Sequence, residues 1–125
     1  MKILEQMTRE VVTADPDDRV ARLRQTLVVT GLRCLPVVAQ GKLLGLIFAR
    51  DLEAAPPTSH ARDLMHPASV TVSARTPIER AAALMLEHQI HGLPVVNADN
   101  ELQGVLTVSD LLRTLVKAPP ISLWV

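Results

Sequence analysis

Apolar and polar positions run through one pattern along this chain and then run through it again. In the second half, Ser69-Val70-Thr71-Val72 is short and β-rich, which predicts a strand. Thr76-Pro77-Ile78-Glu79 then predicts a helix start, with Thr76 as N-cap, Pro77 at the first helical position and Glu79 at the third. Ile78, Ala81, Ala82, Met85 and Leu86 follow the i, i+3, i+4, i+7, i+8 spacing of one buried helix face. Val20, Leu23, Leu27 and Val28 take the same face in the first half, and Arg24 stands where Ala82 stands, as a rim residue whose stem covers apolar surface. Leu35-Pro36-Val37-Val38 and Leu93-Pro94-Val95-Val96 read as buried strands with proline near the start. Gln40-Gly41-Lys42 and Ala98-Asp99-Asn100-Glu101 read as hairpin turns. Residues 43–48 and 102–107 are the return strands, carrying Gly45 and Gly104 where backbone must come close to something. Asp51 and Asp110 each open a last helix, where a carboxylate suits the positive end of the dipole.

The two passes are a repeat. Met65 lies 58 positions after Met7, and in that register Val12/Val70, Thr13/Thr71, Arg22/Arg80, Leu35/Leu93, Pro36/Pro94, Val37/Val95 and Val38/Val96 are identical pairs. Beyond them the offset becomes 59 and matches Leu43/Leu102, Gly45/Gly104, Asp51/Asp110 and Leu52/Leu111, so one residue is inserted in the turn 97–101. A unit of this length closes a core against its copy rather than alone. Two copies imply pseudo-twofold symmetry and a cleft where equivalent residues converge. We set the first repeat at residues 1–56, a linker at 57–61 overlapping the two-proline stretch 54–60, the second repeat at 62–117 and a tail at 118–125. Pro56 and Pro57 make the linker stiff and extended. The apolar tail, with Ile121, Leu123 and Trp124, either packs on its own domain or touches another chain.

At 125 residues and 48% hydrophobic, the chain is long and apolar enough for one domain with a core. No apolar run reaches the roughly 18–20 residues of a membrane helix. The acidic N-terminus lacks the apolar stretch of a signal peptide, so a cytoplasmic location is expected, with no membrane partner. A formal net charge of zero argues against nucleic acid as the main partner. Aromatics are confined to Phe48 and Trp124, too few for a base-stacking platform. Cys34 stands alone, inside an apolar run, and reads as a buried structural thiol. His88 and His91 form H-x-x-H without a nearby third ligand, too little for a zinc site, and His60 and His66 read as linker and surface. No Ser–His–Asp arrangement, nucleophile elbow, P-loop or paired-carboxylate cleft is present, so no enzyme activity is expected.

Met7 and Met65 ahead of the first strands, the two Leu-Pro-Val-Val segments, and residues 45–51 (GLIFARD) beside 104–110 (GVLTVSD) together carry a resemblance. In order and duplicated spacing the chain, from about residue 3 to 116, resembles a tandem pair of CBS domains, the module named after cystathionine β-synthase. The resemblance implies an α+β fold of α/β type, with two pseudo-twofold related β-α-β-β-α repeats packed sheet to sheet. It also implies a regulatory cleft for an adenine nucleotide or related adenosyl ligand, and no required cofactor.

The resemblance carries roles to particular residues. Asp110, and Asp51 in the first repeat, are the expected acceptors for ribose hydroxyls, since two adjacent donors match the two oxygens of a carboxylate. Thr107 and Ser109 are expected to face phosphate, with the free N–H groups of the following helix. The tetrad Thr107-Val108-Ser109-Asp110 also fits a plain helix cap. Phe48 and Arg50 replace Thr107 and Ser109 in the first repeat. Phe48 either closes that pocket or changes its ligand; Arg50 either offers a forked donor to phosphate or is a solvated surface residue. Arg33 and His91 are equivalent positions expected near the central cleft, where each charged hydrogen bond to phosphate contributes about 1.5–3 kcal/mol. Val70, Thr71, Leu93 and Pro94 are candidates for adenine, with Val12, Thr13, Leu35 and Pro36 lining the other pocket; a purely structural core role fits Val70, Leu93 and Pro94 equally.

Two functions remain open on the sequence. One is a regulatory module that binds AMP, ADP or ATP and reports it to an unidentified protein. The other is a ligand-free scaffold acting through its surface. In both, helix edges bearing Ala83, Leu112 and Leu115 point to a homodimer.

Overall fold

The structure is a computed structural model that describes residues 1–117. The tail 118–125, and the two alternatives raised for it, lie outside the described residues. The fold is a small α+β arrangement of two short antiparallel sheets and five helices. The chain forms two compact units that cut across the repeats. One holds Val12–Ser69 and Ala98–Leu102, the other Met1–Val11, Val70–Asn97 and the chain from Gln103 on. Each repeat thus lends its leading segment to the unit built on the other.

The first-repeat unit contains α1 (Val20–Thr30), β1 (Cys34–Ala39), β2 (Lys42–Phe48), α2 (Ala49–Glu53) and α3 (Ala61–Leu64). β1 and β2 pair antiparallel from Cys34↔Phe48 to Ala39↔Lys42, with a register shift at Val37/Val38. The two turn residues Gln40 and Gly41 have φ of 53° and 79°, as a tight hairpin turn matching the strand twist requires. Ala14, Val20, Leu23, Leu35, Val37, Ile47, Leu52, Ala55 and Ala61 form its core. Arg24 does more than the rim role expected of it. Its Nε donates to the Leu52 carbonyl at 2.7 Å and its Nη2 to the Ala55 carbonyl at 2.6 Å, satisfying the free carbonyls at the end of α2.

The second-repeat unit contains the 3-10 turn Ile3–Glu5, α4 (Ile78–His88), β3 (Gly92–Val96), all but the first residue of β4 (Leu102–Thr107), and α5 (Val108–Lys117). Ile3, Val72, Ala81, Met85, Leu93, Val95 and Leu106 form its core. The N-terminal segment is tied in by backbone: Ile3 N–H donates to the Thr76 carbonyl at 3.0 Å, and Thr8 and Val105 exchange both bonds at 2.9 Å.

Three sequence expectations are corrected. The strand at 69–72 reduces to one parallel bridge, Val72↔Val95, and its counterpart in the first repeat to Ala14↔Val37. The prolines explain this. The next rung back in each ladder needs an N–H from Pro94 or Pro36, and proline has none. Second, α4 begins one residue later than predicted, with Pro77 as N-cap and the Thr76 hydroxyl accepting from Ser73 N–H at 3.1 Å. Third, Leu86 and Val28 are 81% and 82% exposed. The buried faces centre on Ala81–Met85 and Val20–Leu23, and the i+8 position falls about 120° away from that centre at 3.6 residues per turn. Asp51 and Asp110 stand in the first turn of their helices, at the third position, as expected of carboxylates at the positive end of the dipole.

Candidate functional site

Asp110 is 1% exposed, the buried charged residue among the described residues. Its position at the third residue of α5 turns the carboxylate back onto the helix start. Oδ2 accepts from Thr107 N–H at 2.8 Å and from the Thr107 hydroxyl at 3.0 Å, and Asp110 N–H donates to that hydroxyl at 3.2 Å. Oδ1 accepts from the Thr8 hydroxyl at 3.2 Å and is the partner of the Arg113 guanidinium, one turn further along α5. Thr8 arrives from the N-terminal segment because Gly104 lets that segment touch β4. A Cβ at Gly104 would lie 2.7 Å from the Thr8 carbonyl oxygen. The close approach expected at both glycines is therefore real.

The first repeat builds the same frame with other side chains. A Cβ at Gly45 would lie 2.6 Å from the His66 carbonyl oxygen. His66, 58 positions after Thr8, reaches the equivalent aspartate: its Nε2 lies 3.0 Å from Asp51 Oδ2, which also accepts from Phe48 N–H at 2.9 Å. His66 is thus a partner of the aspartate and not the plain surface residue expected. Its ring is tilted against Phe48 at 5.7 Å between centroids, and the Arg50 guanidinium lies over the Phe48 ring at 5.0 Å. Such a cation–π contact occupies Arg50 without neutralising it. Cys34 lies opposite Phe48 in the β1–β2 register and is half-buried. Burial, and then the nearby Asp51 charge, push its thiol up to about 11. It is therefore a protonated, weakly nucleophilic thiol.

The other predicted residues separate by unit. Thr107, Ser109, His91, Thr71, Val70, Leu93 and Pro94 belong to the second-repeat unit, and Asp51, Arg50, Arg33 and Thr13 to the first. Leu93 and Pro94 are buried, Val70 and Thr107 half-buried, and Thr71, Ser109 and His91 exposed. Arg33, Arg50 and Thr13 are exposed as well. Arg33 and His91 play equivalent backbone parts: their carbonyls accept from Ala49 N–H and Val108 N–H, each at 2.9 Å, fixing the start of α2 and α5. Sequence reasoning missed Thr8, His66 and Arg113. The offset of 58 was the available signal, since it pairs Thr8 with His66 one residue after the matched methionines. Among the described residues, no three His, Cys, Asp or Glu side chains gather where they could hold a metal ion. No helix among them is long and apolar enough to cross a membrane.

The duplication of this frame agrees with the family comparison, which finds two matches along the chain. The CBS domain model matches residues 2–56 and 61–117. The chain belongs to the CBS domain family. It is 33% identical to an inosine-5'-monophosphate dehydrogenase of Korarchaeum cryptofilum over 104 residues, covering 82% of this chain and 22% of that protein. The chain thus spans about a fifth of that relative's length. Among solved structures it is similar to CBSX2 in complex with AMP, at 28% identity and a TM-score of 0.86, covering 93% of this chain and 96% of that one. It is also similar to the cytosolic domain of the Mg2+ channel MgtE in complex with ATP, at 31% identity and a TM-score of 0.79, covering 88% of this chain and 47% of that one.

Proposed function

We propose that this chain is a regulatory module that binds an adenine nucleotide, AMP, ADP or ATP, at its second-repeat site and reports it to another protein. The observation that carries this reading is the Asp110–Thr107 pair at the start of α5, in a chain similar over nearly its whole length to CBSX2 in complex with AMP. The similarity to the ATP-bound domain of MgtE supports the same ligand class. Asp110 takes the ribose hydroxyls. Thr107, Ser109 and the exposed His91 take the phosphate side. Val70, Thr71, Leu93 and Pro94 face the base. Asp51, Arg50, Arg33 and Thr13 mark the weaker first-repeat site, which Phe48 and His66 crowd. The module has no catalytic role, acts in the cytoplasm and needs no resident cofactor. It works as a homodimer through α4 and α5, where Leu86, Leu112, Leu115 and Val116 are exposed.

Calorimetry of the whole chain against AMP, ADP and ATP tests the reading. One nucleotide per chain is expected, with affinity lost in Asp110→Ala and kept in Asp51→Ala. The opposite pattern would reassign the ligand to the first repeat. His91→Ala should weaken AMP and leave adenosine unchanged. Sedimentation at micromolar concentration tests the dimer, and a clean monomer refutes it. A second reading, a ligand-free interaction scaffold, is favoured by one observation: the Asp110 carboxylate is already engaged by Thr8, Thr107 and Arg113. Absence of any thermal shift with saturating nucleotide would select it, since a ligand at 100 times its Kd stabilises by about 2.7 kcal/mol.

A further inference from the structure

We propose that Arg113 sets the ligand preference of the second-repeat site. It occupies the carboxylate a ribose must take, so a ligand bearing both a diol and a phosphate enters far more readily than one bearing a diol alone. This rests on Asp110 being the diol acceptor proposed above.

The partners of Asp110 are not equally removable. Thr107 N–H and hydroxyl are bound to Oδ2 as part of the start of α5. Thr8 is held in place by two backbone bonds to Val105 at 2.9 Å. Arg113 is different: its side chain is 58% exposed while Asp110 is 1% exposed, so one end of the pair is buried and the other stands in water. It is the charged, exposed partner, whose long side chain can leave the carboxylate altogether. A carboxylate has about four acceptor positions, and Thr107 N–H, the Thr107 hydroxyl and the Thr8 hydroxyl already use three, so a ribose hydroxyl needs the place Arg113 holds.

Displacement leaves a guanidinium without its anion. Arginine stays charged at all working pH values and matches a phosphate with its forked N–H groups. A nucleotide supplies both halves of the exchange, hydroxyls to Asp110 and phosphate to Arg113. A nucleoside supplies only the first and must leave the arginine unpaired. The first repeat has no such device. Position 54, equivalent to 113 in the offset of 59, is Ala54. His66 holds Asp51 there instead. The preference is therefore a property of the second-repeat site.

The test is calorimetric titration of the full chain with adenosine and with AMP, in wild type, Arg113→Gln and Arg113→Lys. AMP should be preferred by wild type. In Arg113→Gln the AMP-to-adenosine ratio should narrow at least about tenfold, from the loss of one charged pairing. Adenosine binding should strengthen while AMP binding weakens. Lysine, which keeps the charge and loses the fork, should fall between. An unchanged ratio, or a parallel weakening of both ligands in folded variants, would overturn the role of Arg113 while leaving the nucleotide site intact. If wild type binds neither ligand and both variants are equally inert, the nucleotide reading itself fails and this inference falls with it. Thermal melts establish that each variant is folded, and Arg113→Lys carries the test if Arg113→Gln is not.

Discussion

The two helix-opening aspartates hold equivalent positions and keep different company. Asp110 is buried, with Thr107, Thr8 and Arg113 around it. Asp51 has a side chain 17% exposed, held by His66 beside a phenylalanine that carries an arginine on its face. The backbone frame is common to both: a carboxylate returned to the helix start, a strand glycine, and a leading segment laid against it. Duplication thus preserved the scaffold and let the side chains facing it diverge. Hydroxyls line the second copy, whereas an aromatic ring and an imidazole line the first. A hydroxyl-lined carboxylate suits a sugar.

The largest expected effect tests the part the copies share. Gly45→Ala and Gly104→Ala would each drive a Cβ to within 2.6–2.7 Å of a backbone carbonyl oxygen, which no side-chain rotation relieves. Each should destabilise the fold by about 3 kcal/mol, as overpacking against rigid backbone does. Urea unfolding of both variants is the check. Similar losses support a common frame; a loss in only one would mean the leading segments are held by different means.

The next effect separates the copies. Asp110→Ala removes the acceptor for Thr107 N–H, two hydroxyls and Arg113, and should cost about 2 kcal/mol. Asp51→Ala removes the acceptor for Phe48 N–H and a half-exposed His66, and should cost about 1 kcal/mol. Denaturant midpoints of the two variants make the comparison. Equal costs would mean that the extra partners of Asp110 add nothing.

Much of this frame was legible in the chain. The offsets of 58 and 59 identified both aspartates, both glycines and both proline-bearing strands, because backbone demands leave a residue type behind at a fixed spacing. Asp at a helix start and Gly at a close approach are such traces. The partners were not legible. Thr8 and His66 share no chemistry, so their equivalence shows only through position, and His66 sits where a surface histidine is the ordinary expectation. Arg113 lies in an amphipathic helix whose exposed face carries charged residues as a matter of course. The unpaired first strands were hidden for another reason. Propensity favoured Val70-Thr71-Val72, but the missing N–H of Pro94 lies on the partner strand, which no local window sees.

The smallest effect belongs to a position where the first repeat carries a thiol with no counterpart in the second. Cys34 corresponds to Gly92 at the offset of 58. Its thiol is pushed up to about 11 from an ordinary value of 9.0, by burial first and by the Asp51 charge second. The sign follows from which state ionises first. Below about pH 9 the thiol is protonated in both folded and unfolded chains, and the stabilising contribution is fully present. Between about 9 and 11 the unfolded chain gives up its proton while the folded chain keeps it, so stability falls as pH rises. Allowing for the thiol's partial exposure, the difference between wild type and Cys34→Ala should shrink by about 1 kcal/mol across that window. Chemical unfolding of the two proteins at pH 8 and pH 10.5 measures it, and lysine and arginine titrations cancel in the difference. Alkylation offers a second readout: the folded thiol should react more slowly than in urea at pH 8, and Asp51→Asn should recover part of that rate. A folded-state rate equal to the unfolded one would mean that the thiol is not shielded, and that the first repeat differs from the second in its aspartate's partners alone.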